Sequence, residues 1–428
     1  MNEKLLHYLW RNKIFSNLNL NTTDGRSLTL IDTGIPHQDA GPDFKQAVIR
    51  IDDITWVGDV EIHVRASDWL RHGHQHNPKY QTIILHVVYE NDVNLHLPFP
   101  TLELQNVISH ALIEEYQQMS CRTELLPCRS DIASIPRLQL TSWMSRLAVE
   151  RNERRQREIV ELLKRRQGNW EEAAFHCFVM NFGFRTNSAA FESLAIRMPY
   201  KCVLKHKDSR LQIYALTFGI AGFLDDSDVP DDDYFKMLQS EYHYLRYKYH
   251  LQSVDLKIWK LLRLRPQNFP CIRLAQLSEC LYRVPDLVEQ ILYGEDVAPL
   301  VKRIPEFEPH SYWKTHWSFG KVTKEHPCCV GRNTVNLLII NTIVPVRMAY
   351  AHFFGDVGKQ EQALSLLEKV EFERNSITAQ YADAGFPTDN ALCSQALLEL
   401  YKNYCTVKGC FQCEIGCAIL KKAGEAGH

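Results

Sequence analysis

The chain changes its hydrophobic rhythm once. Up to about residue 100, apolar positions come in short alternating runs; beyond Pro98-Phe99-Pro100 they recur every three or four residues. The first region predicts a short helix over 3–10, with Leu5, Leu6, Leu9 and Trp10 on one side. A turn at Asp24-Gly25 leads into a strand around Leu28–Ile31, and further strands follow at Phe44–Ile51 and Ile54–Val64, joined by a hairpin turn at Asp52-Asp53. Residues 67–76 read as a helix capped by Ser67 or Asp68 and ended by Asn77-Pro78, before a fourth strand at 82–90. A helix crossing between two strands places them parallel in one sheet.

The second rhythm predicts helices nearly throughout, at 103–119 and then from 138 to about 404, including 138–166, 254–262, 272–293 and 333–355. The pattern therefore describes an α+β chain. An α/β domain over 1–105 is followed by a linker at 106–137, a helical domain at 138–404 and a cysteine-rich tail at 405–428. No fixed-period repeat or low-complexity tract interrupts it.

Composition narrows the picture. At 428 residues, two or three domains are expected. No uncharged apolar run reaches the roughly 18 residues of a membrane span, and the charged N-terminus does not read as a secretory signal, so the expectation is a cytoplasmic protein with no membrane partner. The net charge of −2 supplies no global field toward nucleic acid, although a local basic face remains open. Thirteen cysteines in such a chain argue for buried thiols and a metal site rather than a disulfide framework.

Candidate chemistry concentrates between 41 and 90. GPDF places Asp43 after a Gly-Pro pair, and GDVEIHV places Asp59, Glu61 and His63 at two-residue spacing, on one face of a strand. Ionised groups on such a face are paired, solvated or bound to a metal. The next stretch adds His72, His74 and His76, and the apolar strand 82–90 carries His86. On a helix, His72 and His76 would share a face at a spacing that can chelate zinc. The plainer alternative makes Asp59, Glu61 and His63 the polar side of a half-buried strand, with Glu61 paired to Arg65, and makes His86 a core histidine.

The order helix, three strands, helix, strand, with Pro42-Asp43 opening the second strand and Glu61-Ile62-His63 on the third, resembles the PD-(D/E)xK nuclease fold over roughly residues 1–105. The resemblance implies phosphodiester hydrolysis of DNA or RNA, with Asp43 and Glu61 holding Mg²⁺ or Mn²⁺ and the Ile62 carbonyl as a third ligand. His63 stands where that fold has lysine, so it would act as base or ligand and shift preference toward Mn²⁺ or Zn²⁺. Glu3 is the one carboxylate on the first helix that could join. Along its length the chain also resembles an uncharacterised bacterial family, domain of unknown function 2851, through DAGPDF (39–44), GDVEIH (58–63), SDWLRHGH (67–74), ILHVV (84–88), RPQNFP (265–270) and the cysteine tail.

That tail, Cys405-x4-Cys410-x2-Cys413-x3-Cys417, can bind Zn²⁺ or an iron–sulfur cluster in a structural role. It is somewhat similar to the four-cysteine tails of iron–sulfur glycosylases and nucleases. Elsewhere NFGFRTN (181–187), RPQNFPCIR (265–273), HWSFGK (316–321) and the Arg-rich helix 146–166 could line a phosphate groove, or be tight turns and a solvated, salt-bridged face. The reading is thus a metal-dependent nuclease, against a non-catalytic nucleic-acid or protein-binding module on the same fold, or a small-substrate metal hydrolase using the histidines.

Overall fold

A computed structural model describes residues 1–15, 20–37, 41–122, 124–184, 186–225, 231–262, 264–294 and 296–426. The chain divides into two compact units, one of residues 1–144, 375–387 and 397–428, the other of 145–374 and 388–396. Residues 106–137, expected as a linker, contain helix α3 (His110–Cys121) and belong with the strands, as does the tail expected to stand apart. Local periodicity reports elements but not which of them return to an earlier core.

In the first unit, α1 (Glu3–Arg11) starts at Asn2, whose side chain accepts from the Leu5 amide at 2.8 Å. Its buried side carries Leu5, Leu6, Tyr8, Leu9 and Trp10, which leaves Glu3 and His7 together on another face. The sheet runs in chain order through β1 (Ser27–Asp32), β2 (Phe44–Ile51), β3 (Ile54–Arg65), β4 (Ile83–Glu90) and β5 (Thr101–Glu103), with the pair Leu20–Asn21 at its edge. The first three are antiparallel; β3–β4 and β4–β5 are parallel. The sheet is mixed, with the parallel crossover that the sequence pattern predicts.

Two irregularities shape β3. Phe44 pairs with Val60 but Ala47 with Gly58, so β2 carries one extra residue, and Gln46 takes φ +58°. Asp59 stabilises this bulge by accepting from the Gln46 amide at 3.1 Å, and it also accepts from the Thr82 hydroxyl at 2.6 Å. Gly58 lets β4 approach: a Cβ there would lie 2.4 Å from Ile84 Cγ2 and 2.8 Å from the Thr82 carbonyl oxygen. The crossover helix is shorter than expected. The α2 helix (Asp68–Arg71) stops at His72, because Gly73 turns left-handed at φ +70° before a single 3₁₀ turn over His74–His76.

The second unit is helical around a continuous apolar core that includes Phe175, Phe191, Tyr214, Phe218, Tyr242 and Trp313. Helix α4 (Arg137–Arg165, which begins in the first unit) matches the segment expected at 138–166; α5 (Trp170–Asn181), α6 (Ser188–Arg197), α8 (Arg210–Ile220) and α9 (Asp233–Tyr249) fall within the long helical stretch, and α7 (Tyr200–His206) is a short helix that the pattern did not mark out. The helix expected at 254–262 is only a 3₁₀ turn at Leu256–Ile258. The one expected at 272–293 divides into α10 (Pro270–Arg283) and α11 (Leu287–Tyr293) around Pro285, which cannot donate to a helical ladder. The stretch Arg332–Phe353 is long and apolar enough to cross a membrane by length and composition, yet 72% of its most apolar window is buried in the protein, as in a core helix.

Several groups in the stretches considered for phosphate binding have partners within the protein. Arg154 and Arg155 pair with Glu158 at 3.2 and 2.6 Å, and Arg146 pairs with Glu150 at 3.1 Å. Arg273 donates to Asn268, Gln276 and Thr334 and lies 4.5 Å over the Phe184 ring. Trp317 stacks on His326. Arg185 lies outside the described residues.

Replacing Gly58 by alanine would push a methyl group against a backbone carbonyl that the sheet holds in place. Gly58→Ala should lower stability by about 1–3 kcal/mol, the usual cost of overpacking, read as a lower thermal midpoint for the first unit.

Candidate metal centre

The end of β3 is buried on both faces, unlike its beginning. Glu61 and His63 are 4% and 1% exposed, and His86, paired with Glu61 in register on β4, is 0% exposed. A half-buried strand with a solvated polar side is therefore not what forms. Arg65, the cation considered for Glu61, instead reaches Glu90 at 3.4 Å. Among the described residues, no lysine or arginine pairs with Glu61 or Asp43; the nearby bases are imidazoles.

Backbone amides cross-brace the two carboxylates. The Asp43 amide donates to Glu61 Oε2 at 3.2 Å, and the Ile62 amide donates to Asp43 Oδ2 at 2.9 Å. Glu61 Oε1 faces the other way, 3.6 Å from His63 Nε2 and 3.2 Å from His74 Nε2. Asp43 Oδ2 lies 3.4 Å from His7 Nε2. All three of these imidazole nitrogens are buried, and none makes a hydrogen bond. Buried polar atoms are normally satisfied, so three such nitrogens, each beside a carboxylate oxygen, mark a place suited to a cation.

The donors fall into two adjoining groups. His63, His72 and His74 bring ring nitrogens within 4.8 Å of one another, and carboxylate oxygens of Glu3 and Asp43 do the same with a ring nitrogen of His7. Glu61 Oε1 lies beside His63 and His74, while its Oε2 accepts from the Asp43 amide. His63 Nδ1 lies 2.9 Å from His86 Nε2, which can hold the imidazole so that its other nitrogen faces Glu61. Trp69 packs edge-on to His74 and tilted to His86, and Tyr80 stacks on His74 at 4.0 Å.

Burial sets the electrostatics. Desolvation first, then the Asp43 charge, pushes the Glu61 carboxyl up to about 9. Burial, with neighbouring imidazoles, pushes His63 down to about 2 and His86 to about 4. Without a cation, burial favours a protonated Glu61 beside neutral His63 and His86. A divalent ion reverses the preference at Glu61, because it stabilises the carboxylate directly.

Of the residues singled out in the sequence, Asp43, Glu61, His63, His72, His74 and His86 converge. Asp59 is taken up by the bulge and Thr82, and His76 is exposed beyond the turn at Gly73. Asp39 and Ala40 lie outside the described residues. Sequence reasoning gave Glu3 little prominence and missed His7 and Tyr80. The signal for the first pair was present: Glu3 and His7 are four residues apart on one amphipathic helix, opposite its apolar stripe.

A family described as Protein of unknown function (DUF2851) matches residues 3–376. No curated protein and no solved structure matches the chain.

The raised Glu61 carboxyl implies a pH dependence. The metal-free fold binds this proton more tightly than the unfolded chain, whose carboxyl titrates near 4.5. The stabilisation is complete below pH 4.5 and is lost as pH rises toward 9. In chelator, the stability of wild type minus that of Glu61→Gln should therefore fall across that window, measured by denaturant midpoints at several pH values.

Proposed function

Given a chain that belongs to the DUF2851 family, we propose a function from its site: a divalent-metal-dependent phosphodiesterase acting on DNA or RNA, centred on Asp43 and Glu61. The observation that carries this reading is the set of three buried, unbonded imidazole nitrogens beside two cross-braced carboxylates. The order of elements, with Asp43 before the second long strand and Glu61 on the third, supports phosphodiesters as the substrate class. The mixed imidazole and carboxylate donors favour Mn²⁺ or Zn²⁺ over Mg²⁺.

Glu61 with His63 and His74 would hold one ion, and Asp43 with Glu3 and His7 a second beside it. Bound there, the metal would activate a water and neutralise charge developing on the phosphate. The protein's own work is positional. The Asp43 and Ile62 amides fix both carboxylates, and His86 fixes the tautomer of His63, which makes His63 a ligand rather than a base. His72 is the exposed member of the group it forms with His63 and His74.

Purified protein should cleave DNA or RNA with Mn²⁺ and not in chelator. Glu61→Ala and Asp43→Asn should each lower the rate at least about a hundredfold, since a bound ion's charge stabilisation is worth several kcal/mol. Cleavage that survives Glu61→Ala with the fold intact removes the assignment, and ion-independent binding without cleavage would favour a binding module. His86→Ala should weaken Mn²⁺ binding by about 10–100-fold, as removal of a ligand-orienting partner usually does, with calorimetry as the readout.

A further inference from the structure

The cysteine tail does not close on itself. Cys417, expected as its fourth ligand, donates to the Phe411 carbonyl at 3.1 Å and meets the Tyr8 hydroxyl. Its place is taken by a cysteine nearly 300 residues earlier in the chain. The Cys128 thiol, 8% exposed, feels the charges of Cys413, Cys405 and Cys410, whereas Cys417 feels that of Cys410 while its own thiol is taken up by the Tyr8 hydroxyl and the Phe411 carbonyl. Contacts of the surrounding chain enforce the meeting. Lys408 donates its ammonium to the Arg122 carbonyl, and the Arg122 guanidinium in turn donates to the Pro127 carbonyl, tying the segment before Cys128 to the loop between Cys405 and Cys410.

Two more observations point to a ligand. All four thiols are free, Cys128 and Cys413 buried and Cys405 and Cys410 partly so. Tyr381 is fully buried, yet its hydroxyl finds no nitrogen or oxygen partner and faces Cys405, with Cys128 and Cys413 close by. Such a hydroxyl suits a thiolate acceptor. Gly416 is required here too, because a Cβ would lie 2.1 Å from the Cys410 carbonyl oxygen.

We propose that Cys128, Cys405, Cys410 and Cys413 together hold one thiolate-bound metal centre in the first unit, a zinc ion or an iron–sulfur cluster, with Lys408 beside it and Cys417 outside it. The Lys408 ammonium offsets part of the negative charge that four thiolates bring.

The test is zinc, iron, acid-labile sulfide and visible absorption, measured on the full chain purified without oxygen. Wild type should carry either zinc without sulfide or colour, the mark of a single tetrahedral ion, or iron and sulfide in about equal amounts with colour, the mark of a cluster. Cys128→Ser should lose the bound metal, while Cys417→Ser should retain it. Wild-type protein that carries neither metal overturns the proposal, and so does a Cys128→Ser protein that keeps its metal or a Cys417→Ser protein that loses it. Should Cys128→Ser prove insoluble, the wild-type assay and Cys417→Ser still decide.

Discussion

A carboxylate side chain taken out of water without a guanidinium or ammonium partner is the constraint around which the first unit is built. Glu61 is nearly inaccessible and faces a second acid, and among the described residues the bases beside it are imidazoles. Folding tolerates this arrangement in one of two ways: the acid stays protonated, or a cation occupies the space between it and the rings. The remaining features of the site follow from that choice. The Asp43 amide fixes one oxygen of Glu61 and leaves the other facing His63 and His74.

The scaffold holds these groups with backbone irregularities rather than with side-chain bulk. A bulge in β2 brings Asp43 level with Glu61, and Asp59 satisfies the amide that the bulge exposes. Gly58 permits β4 to lie close enough for His86 to reach His63. Gly73 ends α2 early and turns His74 inward, whereas an uninterrupted helix would have aligned His72 with His76. Each device puts a polar group where local propensity alone would not.

The second unit has a different logic. Its charged and aromatic motifs are largely consumed in holding helices together: Glu279, 1% exposed, accepts from Arg210, Arg283 and Tyr214, and Arg273 bridges Asn268, Gln276 and Thr334. On α4, Arg154 and Arg155 share Glu158, and Lys164 pairs with Glu161, three or four positions away.

Periodicity by itself determined the two rhythms, the order of long strands and helices, and the parallel crossover, because those depend on contacts within a few residues. It also singled out Asp43, Glu61 and the histidines around them, since charged groups in apolar strands are conspicuous without any coordinates. Tertiary structure alone decided which of them meet. His7 and Glu3 join the centre because α1 packs on β3, and His76 leaves it because one glycine adopts a positive φ. Cys128 approaches the tail, which only the folded chain reveals, for no local pattern encodes the proximity of residues that far apart in sequence.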